Sequence, residues 1–220
     1  MSGLIRKYYL TIVFFGIISL IQAQINSCDL AVKDVSSIDS NRITFKGKTA
    51  NFSDSVKLAI EISLNYFPEL MNSKITFRSK KIKTTMNARP TLGSMLYRKT
   101  SYYRYIVRIN SCEMDSIIQI KHIPFEALVG VFGHEFCHFV DYGQHKKSHL
   151  LKRAFDYGSK KRKAEFEKEI DRMAISRGLG CHLYKWSYYV LFESNAKAAY
   201  KLFKRSTYLQ PHEILELMPQ

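Results

Sequence analysis

The chain has 220 residues, 46% of them hydrophobic, and a formal net charge of +15 from 34 Lys and Arg against 19 Asp and Glu. Its four cysteines include no Cys-x-x-Cys pair, which argues against a cysteine zinc knuckle and a thioredoxin-like motif. It has no internal repeat, low-complexity tract or Pro/Gly-rich linker, so we expect a single folded domain.

Residues 1–23 have the pattern of a signal peptide. Arg6 and Lys7 precede an apolar run at 9–21, and Ala23 offers a small residue at a cleavage point. As a helix that run would span only about 20 Å, short for a membrane span. We therefore expect 24–220 to be one exported domain, secreted, periplasmic or at the cell surface. An uncleaved anchor and a lipid attached at Cys28 are the alternatives.

Export shapes the expected partners and the cysteine chemistry. The signal carries two basic and no acidic residues, so its removal leaves a charge of +13, with basic clusters at 78–83, 146–147 and 160–163. Such a surface favours an anionic surface or polymer, whereas export and the lack of a nucleic-acid motif argue against nucleic acid. An oxidising compartment allows three complete pairings of the cysteines, and the sequence does not choose between them. These cysteines are Cys28, Cys112, Cys137 and Cys181.

The elements predicted along the chain give an α+β order, with strands mainly in the first half and helices in the second. A helix is predicted at 53–67, capped by Ser53 or Asp54. Strands are predicted at 74–83 and 101–109, with a third candidate at 117–120. A buried helix follows Pro124, because the residues after it are apolar on nearly every side. Further helices are predicted at 149–157, 161–177, 184–204 and 211–218.

The buried helix carries the motif that points to chemistry, His-Glu-x-x-His at 134–138. Residues four apart on a helix lie within about 40° of one face, so His134 and His138 can reach one metal ion. Glu135 lies beside that face and can hold a water without ligating the metal. Cys137 flanks the site, and we interpret it as a small buried hydrophobic residue. Polar groups in so apolar a helix need partners, and a metal is the simplest common one.

Downstream, Glu167 and Asp171 repeat the spacing of four on a later helix. Here the sequence resembles the gluzincin class of zinc metallopeptidases, whose pattern is HExxH on one helix and ExxxD on a later one. The match covers about 30 residues, around 129–142 and 165–178. The resemblance implies a zincin-like fold, with an edge strand of a small sheet packed on the HExxH helix. It also implies that Glu167 is the third Zn²⁺ ligand and that Asp171 orients a zinc histidine.

The resemblance further implies hydrolysis of a peptide or protein substrate, with Glu135 as the general base on a zinc-activated water. An edge strand would pair with the substrate backbone. The segment 101–109 is the candidate for it, and a core strand is an equal alternative for the same segment. A group that stabilises the oxyanion is expected as well. Tyr208, His182 and His212 are open candidates for that role.

Other ligand sets remain open at this point. A metzincin needs HExxHxxGxxH, but 141 is Asp, 144 is Gln and His145 comes one residue late. Asp141 or His145 would ligate if the helix ended soon after Phe139, and Glu165 and Glu169 compete with Glu167. The functional alternative is a non-catalytic zinc-binding or surface-interaction protein on the same fold.

Overall fold

The computed structural model describes residues 42–47, 52–97, 103–111, 118–145 and 147–219, all within one compact unit, Asp34–Gln220. The predicted signal peptide at 1–23, Cys28 and Cys112 lie outside the described residues.

A four-stranded mixed sheet forms the first layer. Its strands are β1 (Ile43–Lys46), β2 (Lys74–Lys80), β3 (Met86–Pro90) and β4 (Arg104–Asn110), in the order β1-β2-β4-β3. The first, second and fourth strands run parallel, and β3 pairs antiparallel with β4. The strand predicted at 101–109 is therefore present as β4. It lies inside the sheet, so its candidacy as the edge strand is wrong and the alternative of a core strand is confirmed. The described edge beside β4 is β3.

Eight α-helices occur in the described part of the chain, most of them in its second half, so the predicted α+β class is confirmed. They are α1 (Asp54–Leu64), α2 (Leu92–Tyr97), α3 (Phe125–Gln144), α4 (Lys147–Asp156), α5 (Lys160–Ala174), α6 (Gly180–Tyr188), α7 (Ala198–Thr207) and α8 (Pro211–Leu217). Ser53 caps α1, since its hydroxyl accepts a hydrogen bond from the Val56 amide at 3.4 Å. None of the helices in this part of the chain combines the length and apolarity needed to cross a membrane.

Two predictions about the elements are wrong. The helix predicted at 184–204 is two helices, because Ser194 adopts extended backbone and its hydroxyl bonds to the Val190 carbonyl at 2.7 Å, which ends the first one. Within the predicted strand at 117–120, only 118–120 is described, and a 3₁₀ turn, Ile120–His122, begins there instead.

Helix α3 lies at the centre of the fold, and every residue from 127 to 142 is buried. Against the sheet, Phe132 packs on Phe77 with ring centroids 6.0 Å apart, and Phe139 stacks on Tyr105 at 4.2 Å. The helix also packs against α1 and α6. Gly130 permits the close approach to α6, because a Cβ there would lie 2.1 Å from the His182 carbonyl oxygen. This packing fixes the helix that carries the HExxH motif.

Candidate metal centre

The two motif histidines occupy neighbouring turns of α3 and face the same way. Their ring centroids are 5.0 Å apart, and both side chains are buried. Helix α5 crosses in front of them and presents Glu167, which is also buried. His134, His138 and Glu167 each place one ligand atom within 4.8 Å of the other two. The three residues predicted as metal ligands are therefore brought together and can hold a metal ion.

The distances fit a shared ion. Glu167 Oε2 lies 3.2 Å from His134 Nε2 and 3.4 Å from His138 Nε2. Bonds of about 2.1 Å at tetrahedral angles place neighbouring ligand atoms about 3.4 Å apart. Oε2 is also buried without a hydrogen-bond partner, and buried polar atoms of that kind are costly. An ion between these atoms would satisfy all three.

Asp171 sets the tautomer of His134. Its Oδ1 lies 2.8 Å from His134 Nδ1, and its Oδ2 accepts a hydrogen bond from the Leu209 amide at 2.8 Å. A carboxylate beside Nδ1 keeps a proton on that nitrogen, so Nε2 is the nitrogen that faces Glu167 and, once it has lost its own proton, can bind a metal. The orienting role that the resemblance implied for Asp171 thus has a matching contact, together with an anchor in the C-terminal segment.

Tyr157 holds the other oxygen of the Glu167 carboxylate, a contact that the sequence did not reveal. Its hydroxyl donates to Oε1 at 2.8 Å. This leaves Oε2 directed at the histidines. Tyr157 lies in the turn between α4 and α5, outside any helical pattern, so no periodicity pointed to it.

Neighbouring charges and hydrogen bonds shift the pKa values of His134 and Glu167. Burial lowers the pKa of His134, but the hydrogen bond to Asp171 and the negative charges of Asp171 and Glu167 outweigh it and raise the pKa to about 10. Burial likewise raises the pKa of Glu167, and its two histidine partners reverse this and hold the pKa well below its usual range. The cluster therefore favours a cation at its centre, either a proton or a metal ion.

Glu135 is buried beside the ligands. Burial raises its pKa, opposed by the nearby histidines and by the Lys204 ammonium. A carboxylate with a raised pKa next to a metal position is suited to accept and return a proton. Glu135, predicted as the general base, is therefore adjacent to the candidate metal ligands.

The three candidates for stabilising the oxyanion differ in their position relative to the ligand cluster. Tyr208 packs on His134 with ring centroids 5.5 Å apart, and burial followed by the Glu167 charge raises its pKa, so it remains a hydrogen-bond donor. His182 instead lies by Glu126 in the first turn of α3, two turns before His134. His212 is exposed on α8. Of the three, Tyr208 alone borders the cluster.

The competing ligands lie elsewhere. Glu165 and Glu169 are exposed, and Glu169 pairs with Arg153 at 3.1 Å. Because α3 continues to Gln144, Asp141 turns away from the motif, and Arg153 donates to both of its oxygens at 2.9 and 3.2 Å.

Asp141 belongs to a second group of possible ligands, together with His145 and His149. Each of the three places one ligand atom within 4.8 Å of the other two. His149 Nε2 is 3.2 Å from Asp141, and the Arg153 guanidinium already neutralises the carboxylate. The arrangement is therefore that of an ion-pair network rather than of a metal site.

The cysteines divide into two roles. Cys137 is free and fully buried, and burial raises the pKa of its thiol, so it is an inert core residue as interpreted from the sequence. Cys181 is disulfide-bonded. A free Cys137 excludes all three complete pairings of the four cysteines.

No family model, no curated protein and no solved structure matches this chain.

Proposed function

We propose that the protein is an exported zinc-dependent metallopeptidase of the gluzincin type. The observation that carries the proposal is the convergence of His134 Nε2, His138 Nε2 and Glu167 Oε2, with Asp171 fixing the tautomer of the first histidine. Two imidazoles and one carboxylate are a ligand set typical of catalytic zinc sites, which leave a fourth position open. Zinc bound there supplies a Lewis acid that polarises a carbonyl and acidifies water.

The residues around the ligands fit peptide-bond hydrolysis. Glu135 takes the proton from the attacking water and returns it to the leaving amine. The Tyr208 hydroxyl, protonated at neutral pH, donates to the oxygen that becomes negative in the transition state. No side chain needs to form a covalent intermediate.

A zincin-like fold is supported by the place of β3. It is the antiparallel edge strand of the sheet, and it packs against α3. An edge strand presents unpaired backbone groups, so an extended peptide can add to it beside the metal position. The substrate is accordingly a peptide or protein segment in extended form.

Export is supported by two features. The pattern of residues 1–23 is that of a signal peptide, and Cys181 is disulfide-bonded, as is usual in oxidising compartments. The basic surface favours an anionic surface or polymer as a further partner.

The test combines metal analysis with one substitution. The purified protein should contain about one zinc per chain, which His134→Ala should lose. Glu135→Gln should keep the zinc and abolish cleavage of a peptide library followed by mass spectrometry, because the amide cannot accept the proton. Retained zinc with no cleavage by the wild type would favour a non-catalytic zinc protein, and no stoichiometric metal in the folded protein would refute the site.

A further inference from the structure

Two lysines lie at the rim of the metal centre. Lys163 is one helical turn before Glu167 on α5, and its Nζ lies 5.3 Å from the ring centroid of Tyr157 and 4.8 Å from that of Phe203. Tyr157 is the residue that bonds to Glu167. The lysine therefore borders the same aromatic side chain that supports the third ligand.

Lys204 approaches from α7. Its Nζ lies 3.9 Å from the ring centroid of Tyr208, and that ring packs on His134. Phe203 and Tyr208 also contact each other, at 6.1 Å, so the two lysines share one aromatic wall.

Within the described residues, Lys163 and Lys204 form no ion pair with a carboxylate, whereas Lys168 pairs with Glu213 at 2.8 Å. Both side chains are partly buried, and the aromatic faces restrict where their ammonium groups can lie. They are thus held in place and available to an anion.

We propose that Lys163 and Lys204 form a carboxylate-binding subsite beside the metal centre. This rests on the proposed peptidase function and names its substrate class: peptides with a carboxylate close to the scissile bond. Lys163 lies one helical turn, about 5.4 Å along the axis, before Glu167 on α5, so we expect the carboxylate within a few residues of that bond. It comes either from an Asp or Glu side chain or from the C-terminus of the peptide.

Matched peptides separate the two sources. Peptides cleaved in the library are resynthesised with Glu or Gln near the bond, and with a free or amidated C-terminus. A charge-assisted hydrogen bond predicts that kcat/KM is about tenfold higher for the acidic member of the relevant pair. Lys163→Met and Lys204→Met, which keep the aliphatic stem on the rings, should each remove that preference. Lys161→Ala, an exposed change of equal charge on the same helix, should keep it.

A binding measurement keeps this subsite distinguishable from the proposed activity. Fluorescence anisotropy with Glu135→Gln protein loaded with zinc should show tighter binding of the carboxylate peptide, lost in each Lys→Met variant. Cleavage without a carboxylate preference, or a preference that survives both Lys→Met changes, would overturn the subsite while the peptidase stands. Without any cleavage the peptidase fails, and the binding data decide: carboxylate selectivity that depends on the lysines supports the subsite, and equal binding overturns it.

Discussion

Asp171→Asn tests the metal centre where its geometry is most constrained. Asp171 accepts two hydrogen bonds, from His134 Nδ1 and from the Leu209 amide, both at 2.8 Å. Asparagine has nearly the same size but one accepting oxygen, so its NH₂ group must face one of these two donors. If it faces His134, the proton moves to Nε2 and that nitrogen can no longer bind a metal. If it faces Leu209, a buried backbone donor loses its acceptor.

Both outcomes have a measurable size. Loss of the carboxylate partner of a metal-binding histidine lowers metal affinity about 10- to 100-fold. A buried donor left without its acceptor lowers the free energy of unfolding by about 1–3 kcal/mol. We expect the first effect in the zinc Kd, measured by competition with a chromogenic chelator. The second should be visible in urea unfolding of chelator-treated protein.

Glu165→Gln is the matched control, because it makes the same chemical change at an exposed position of the same helix. It should leave both quantities within error of the wild type. An unchanged zinc Kd in Asp171→Asn would refute this account of the tautomer. A weakened Kd in Glu165→Gln would instead show that this glutamate contributes to metal binding.

Two further substitutions test the support of the centre. Tyr157→Phe removes the hydrogen bond to Glu167 Oε1 and should weaken zinc binding by about tenfold in the same competition assay. An unchanged Kd would mean that Glu167 is oriented without this hydroxyl. Gly130→Ala places a Cβ 2.1 Å from a backbone oxygen of α6 and should lower the free energy of unfolding by about 1–3 kcal/mol in urea. Gly93→Ala, with nothing within 4 Å, should leave it equal or higher by up to about 1 kcal/mol, and equal stability of the two variants would contradict the close helix contact.

The ligands were predictable because helical spacing is a local property. The interval of four residues puts His134 with His138, and Glu167 with Asp171, on single helix faces wherever those helices lie. The sequence does not contain the crossing of α3 and α5, which depends on packing between distant segments. The resemblance to the HExxH and ExxxD pattern indicated instead which two helices come together. No sequence pattern indicated Tyr157, because a residue in a turn follows neither the helical nor the strand periodicity.

The candidate for the edge strand, 101–109, was wrong because strand pairing also depends on distant segments. The segment 101–109 is rich in Tyr, Ile and Val, so it was recognised as a strand, but such residues are typical of an interior strand as well. The edge strand beside β4 is β3, whose sequence is MNARP. Its Asn, Ala and Pro are residue types that are depleted in strands. Its conformation depends on antiparallel pairing with β4, from Met86 with Ile109 to Pro90 with Tyr105, which is not visible in its own composition.

The two lysines at the rim, Lys163 and Lys204, were not recognised together from the sequence, in part because one continuous helix was predicted at 184–204. Lys163 lies four residues before Glu167, but in the sequence it is one of the basic cluster at 160–163, which indicates only a general preference for an anionic partner. The structure exposes 160–162 and turns only Lys163 toward the aromatic wall. A continuous helix at 184–204 would extend about 30 Å and carry Lys204 away from its start. The break after Ser194 instead lets α7 pack against α5, and this contact places both ammonium groups beside the metal centre.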